Sequence, residues 1–216
     1  SQSGNRYVEE KGVETIAKYA EEYGLGDKTG VEIDEYSPKI ADEYPITMAI
    51  GQSNNNYTTI QLARYVSAVA NSGTVYNLTL LNKVTDTEGN VLETYEPSVK
   101  NTMDNVADST WDAIHQGMRM VVETHSQFDG LSVQAAGKTG TAQQSNTPNH
   151  ALFVGYAPYD KPQIAIATRI ANGYTSANSA DLSAKVMEYY FNKEGRTDLL
   201  TGTAASVGNS SNSVND

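Results

Sequence analysis

The sequence contains no cysteine, so it has no disulfide framework, no thiolate nucleophile and no cysteine-ligated zinc site. Histidine is scarce: His115, His125 and His150 are all there is. They lack the close spacing of a metal-binding set, and neither a metal nor a cofactor is expected. Long apolar runs are missing as well. No stretch reaches the roughly 18 to 20 residues of a membrane span, and no charged, apolar, small-residue leader opens the chain. If the protein is exported or anchored, the responsible segment is expected outside this sequence. Basic residues are in the minority, 15 Lys and Arg against 26 Asp and Glu, for a formal charge of −11. With no basic stripe, nucleic acid and anionic lipid headgroups are excluded as partners.

A chain of 216 residues is long enough to bury the core of one domain, or of one large piece of a domain. Val13, Ile16, Ala17, Ala20 and Tyr23 recur at helical spacing ahead of Gly24 and Gly26, which predicts a helix over 13–23. Thr58 and Gln61 stand at capping-box spacing and open a broadly apolar helix over 58–71. Strand-like flanks around Asp86–Asn90 predict a β-hairpin. Trp111, Ile114, Met118, Val121 and Val122 share one face of a helix over 107–125. The period then changes: 132–143, 150–158 and 163–170 read as three antiparallel strands, the last two joined by the turn at 159–162. A helix over 180–191 follows. The domain is expected to span residues 1–195, with 196–216 a polar, disordered tail.

The triplet Lys-Thr-Gly occurs twice, at Lys28–Gly30 and at Lys138–Gly140. The first copy lies in GLGDKTG between a helix end and an extended segment, where glycines supply unusual backbone angles and the lysine is solvated. The second lies inside a predicted strand, and lysine and glycine are both depleted in ordinary strands. An edge strand bearing exposed N–H groups, two hydroxyls and an ammonium can hold a carboxylate while its backbone pairs with an extended peptide. The same lysine on an edge also serves simply to discourage aggregation.

Lys138-Thr139-Gly140-Thr141-Ala142-Gln143 with His150–Pro158 resembles the end of a penicillin-binding protein transpeptidase domain. Gly51-Gln52, Thr59–Ala63 and Ala70–Thr74 resemble the segment preceding it, so the resemblance covers most of residues 1–192. The Ala142-Gln143 continuation is closer to the monofunctional, class B members. The family uses three motifs, Ser-x-x-Lys, Ser-x-Asn and Lys-Thr-Gly. The third is matched at Lys138, Thr139 and Gly140. Of five Ser-x-Asn triplets, Ser3-Gly4-Asn5 stands in the right order and surroundings; its plain structural reading is a helix cap. No serine is followed by lysine three positions on. The nucleophile is therefore expected on residues upstream of Ser1, and Thr15-x-x-Lys18 is no substitute because it sits inside a predicted helix.

The resemblance implies an α/β fold in the broad (α+β) sense, an antiparallel sheet with helices on both faces, here incomplete at its N-terminal side. It implies acyl transfer from D-Ala-D-Ala stem peptides of peptidoglycan through a serine acyl-enzyme, with β-lactams acylating the same serine. Ser3 and Asn5 would serve proton relay and substrate amide. Lys138 would keep the site positive, Thr139 and Thr141 would take the donor carboxylate, the Thr141 N–H would donate to the oxyanion, and Gly140 would admit the substrate backbone. The implied location is the extracytoplasmic face of a bacterial membrane. The upstream part of the same domain, or a second copy of the chain, is an expected partner. A non-catalytic peptidoglycan- or β-lactam-binding module of the same fold is the alternative. A serine β-lactamase would also need the missing motif.

Overall fold

The computed structural model describes residues 2–144 and 146–192, with side chains from residue 9 onward. The tail at 196–216 lies outside the described residues. Helix α1 runs Gln2–Glu22, well ahead of the predicted start at 13. It carries Gly12 in its interior, where a Cβ would come within 3.1 Å of the Pro45 side chain. That close approach of the short helix α2, Pro45–Met48, gives the glycine a packing role that offsets its poor helix propensity.

Helix α3, Thr59–Ala70, starts on the predicted capping box: the Thr58 hydroxyl accepts from Gln61 N–H, and the Gln61 side chain accepts from Thr58 N–H. β1, Thr74–Asn77, pairs antiparallel with β4, Ser98–Thr102. Nested between them is the predicted hairpin, β2 Lys83–Thr85 with β3 Val91–Thr94. Asp86 closes its turn by accepting from the N–H groups of Glu88 and Asn90. The first flank is shorter than its apolar pattern predicts. Leu78 N–H donates to Thr29, and Thr79 and Leu80 donate to the Glu32 carboxylate, so this backbone is committed elsewhere before pairing can begin.

Helix α4, Asp108–Glu123, is followed by a 3₁₀ turn at Ser126–Phe128. The principal sheet then forms from β5 Ala136–Ala142, β6 His150–Ala157 and β7 Ile164–Ile170, all antiparallel and in that spatial order. Helix α5, Ser176–Phe191, closes the described fold. Alternation along β6 sends Phe153 and Tyr156 to opposite faces. Phe153 packs with Ala180, Ala184 and Met187 of α5 and with Phe128. Tyr156 packs against His115 of α4, and α3 lies against β6 and β7. Helices thus cover both faces, as the α+β reading requires.

Candidate active site

The two Lys-Thr-Gly copies have opposite environments. At 28–30 the threonine is buried, 2% exposed, while Lys28 is exposed. Thr29 Oγ1 and N–H donate to one oxygen of Glu35 at 2.8 and 3.1 Å, and Gly30 N–H donates to the other at 2.9 Å. Burial works to raise the Glu35 pKa, but these hydrogen bonds outweigh it and hold the carboxyl below its ordinary value. From the other side Arg64, 1% exposed, donates to the carbonyls of Gly24, Asp27 and Lys28. The loop is a scaffold tied to α3, with the Thr29 side chain committed to Glu35.

At 138–140 the triplet occupies an outer strand. Among the described residues β5 hydrogen-bonds only to β6, so its other edge is open. Lys138 and Thr141 are exposed, and Thr139 and Gly140 are partly so. The Lys138 ammonium turns back to donate to the Thr139 carbonyl at 2.6 Å and forms no ion pair among the described residues. An unneutralised cation beside open strand N–H groups attracts a carboxylate.

What holds this strand in place lies just before the triplet. Ala135 and Ala136 are fully buried, and Arg119 of α4 donates to the Ala135 carbonyl at 3.0 Å while pairing with Glu123. Gly137 faces Gly155, and the Phe153 ring lies across both. A Cβ on Gly137 would stand 2.3 Å from Phe153 Cζ and 2.7 Å from the Val154 carbonyl oxygen. Gly140 is different: a Cβ there meets nothing closer than Leu152 Cβ at 3.6 Å, an ordinary contact. Gly137 is required by packing within the protein; Gly140 is not. The support from Arg119 was not legible beforehand, because nothing in the sequence spacing joins position 119 to position 135.

The structure brings Lys138, Thr139, Gly140 and Thr141 together on β5. Alternation sets Thr139 and Thr141 on one face and Lys138 and Gly140 on the other. Ser3 and Asn5 fall in the first turns of α1, which begins at Gln2. Their side chains lie outside the described ones. No group of His, Asp or Glu among the described residues is arranged to hold a metal ion.

An outer strand carrying Lys-Thr-Gly-Thr, on an antiparallel sheet clasped by helices, defines a penicillin-binding protein transpeptidase domain; the chain belongs to that family, whose pattern matches residues 6–189. Within the family its relatives are class B proteins of the MrdA type. The peptidoglycan D,D-transpeptidase MrdA of Haemophilus influenzae is 30% identical over 219 residues, covering 84% of this chain and 33% of that protein. Penicillin-binding protein 2B of Streptococcus pneumoniae is 31% identical over 211 residues, covering 84% of this chain and 30% of that protein. The chain thus spans about a third of the length of the curated relatives it matches. The solved structure of penicillin-binding protein 2B from Streptococcus pneumoniae strain R6 superposes with a TM-score of 0.73 at 28% identity, over 83% of this chain and 33% of that one. The imipenem acyl-enzyme of penicillin-binding protein A from Mycobacterium tuberculosis, at 22% identity and a TM-score of 0.70 over 80% of this chain and 40% of that one, shares the fold.

Proposed function

We propose that this chain forms part of a serine-type D,D-transpeptidase site that cross-links peptidoglycan stem peptides, and that β-lactams acylate that site. The observation that carries the reading is the open edge of β5, where Lys138 stands without a counter-ion among the described residues beside Thr139, Gly140 and Thr141. A donor peptide ending in a free carboxylate pairs with this edge as an added strand. Its carboxylate is taken by the hydroxyls of Thr139 and Thr141 in the positive field of Lys138. The Thr141 N–H donates to the oxyanion of the tetrahedral intermediate. Ser3 relays a proton to the leaving nitrogen, and Asn5 holds the substrate amide.

The nucleophile is the missing part. The sequence holds no Ser-x-x-Lys, so an activated serine and its lysine base must come from polypeptide other than these residues, and the chain by itself is inactive. Such a protein works at the extracytoplasmic face of the membrane. Among the described residues no helix is long and apolar enough to cross one. The same missing motif favours a second reading, a module that binds peptidoglycan or β-lactam without turnover.

Intact mass after exposure to a penicillin separates the two. The chain is tested alone and mixed with the polypeptide encoded upstream of it. An adduct on the upstream polypeptide, formed only in the mixture, supports a site completed in trans. Binding in the mixture without any adduct supports the non-catalytic module. An adduct on this chain alone overturns the assignment of Ser3 to the relay.

A further inference from the structure

β5 is led into the sheet through two consecutive carbonyls, and each is held from outside the strand. Tyr159 N–H, in the turn between β6 and β7, donates to the Gln134 carbonyl at 2.7 Å. Arg119 of α4 donates through Nη1 to the Ala135 carbonyl at 3.0 Å, and its Nε lies 3.3 Å from Glu123 Oε1 one turn along the helix. The Arg119 side chain is 21% exposed and Ala135 is 1% exposed. In that sheltered setting a charge-assisted hydrogen bond is firmer than at a free surface. Beyond Ala136 the strand is steadied along one edge: β6 pairs with it, and the other edge is open among the described residues. Gly137 and Gly140 leave its backbone a freedom that side chains would restrict.

We propose that Arg119 is a positioning residue for acylation, its bond to the Ala135 carbonyl setting where the Lys138–Thr141 edge stands relative to a serine outside these residues; this rests on the transpeptidase reading above. The fold does not need the bond. Ala135 packs in the core with Phe128, Phe153 and Met187, and β5 keeps register with β6 from Ala136 to Ala142. Losing Arg119 leaves the strand in the sheet and lets its leading end shift.

Such a shift separates binding from chemistry. Lys138, Thr139 and Thr141 ride on one strand and move together, so their joint grip on a ligand carboxylate survives. What changes is the distance from the Thr141 N–H to a carbonyl held by the serine on other polypeptide. Oxyanion stabilisation is exacting about that distance, and a displacement on the order of 1 Å costs up to about 100-fold in rate. Arg119 therefore acts on the acylation step.

The test follows labelling of the full-length protein by a fluorescent penicillin, separating the apparent Kd of the first complex from the limiting acylation rate. End-point labelling gives the active fraction. Arg119→Met should lower the limiting rate about 10-fold while the apparent Kd and the active fraction stay within about 2-fold of wild type. Arg119→Lys keeps a cation and a donor without the fork, and should return to about 3-fold below wild type. Arg169→Met, an equal charge change at an exposed position on β7, should leave the rate where it is.

A limiting rate for Arg119→Met within about 2-fold of wild type overturns the inference. So does a loss confined to the apparent Kd or to the active fraction, which marks a binding or purely folding role. Equal slowing by Arg169→Met overturns it as well, because the effect is then one of overall charge. Should Arg119→Met not fold, Arg119→Lys decides: a slower limiting rate at unchanged Kd supports the inference, and a wild-type rate overturns it. A wild type that penicillin does not label sinks the transpeptidase reading itself, and the inference with it.

Discussion

Gly137 and Gly140, three residues apart on one strand, separate structural need from functional need. Gly137→Ala forces a methyl into Phe153 and the Val154 carbonyl and should destabilise by about 1–3 kcal/mol, measured by urea unfolding. Gly140→Ala has room within the protein, so its stability should stay within about 0.5 kcal/mol of wild type. On the proposed function, however, penicillin acylation of the full-length protein should slow at least about 10-fold, because the methyl would occupy the space assigned to the incoming strand. Equal acylation rates for Gly140→Ala and wild type would remove the substrate from that position. Glu35 is a second residue whose role can be isolated. Its pKa is held down by Thr29 and Gly30, so the fold favours the ionised form. The resulting stabilisation is complete above the ordinary carboxylate pKa and is lost as pH falls through the lower folded value. Glu35→Gln should therefore cost about 1 kcal/mol at pH 7, and its unfolding midpoint should converge with that of wild type as pH falls below about 4.

At the scale of elements, α3 is the strut of the described fold. It meets β6 and β7 on one side and on the other sends Arg64 and Gln61 into the loop after α1, where the Gln61 amide donates to the Asp27 carbonyl at 2.7 Å. Gly24 takes φ 74° with the Arg64 guanidinium packed against it, a conformation and clearance that suit glycine alone. Arg64→Ala would strand buried carbonyls and should destabilise by about 3 kcal/mol. Arg64→Lys keeps the charge but cannot fork between three acceptors, and should recover only part of the loss in thermal or urea unfolding. β5 depends on α4 in the same way, through Arg119. This helps a strand with two glycines and a lysine keep an unbroken register with β6 while its other edge stays open among the described residues.

Over the whole molecule, apolar surface stays uncovered: Ile33, Tyr36, Ile50 and Leu92 are all exposed, and β7, like β5, has only one strand neighbour among the described residues. Such a surface is expected to be covered by further polypeptide or by a second copy. The isolated chain should associate, measured by sedimentation; a soluble, cooperatively unfolding monomer would count against this. Periodicity in the sequence was enough to determine α3, α4, α5, the hairpin and the three strands of the principal sheet, because each is specified by neighbours within a turn or a pleat. That one triplet lies in a loop and its identical copy in a strand was legible for a similar reason: glycine-rich flanks mark a loop, and neighbouring apolar strands mark a strand. Only the tertiary structure decided the pairing of β1 with β4 across an intervening hairpin, the packing of α1 at Gly12 against Pro45, and an acidic cleft between α1 and α2. These rest on contacts between residues far apart in the chain, whose energy no local pattern records. The setting of Lys138 is decided the same way: the sequence supplies the ammonium, but the open strand edge and the lack of a counter-ion among the described residues come from the folded chain.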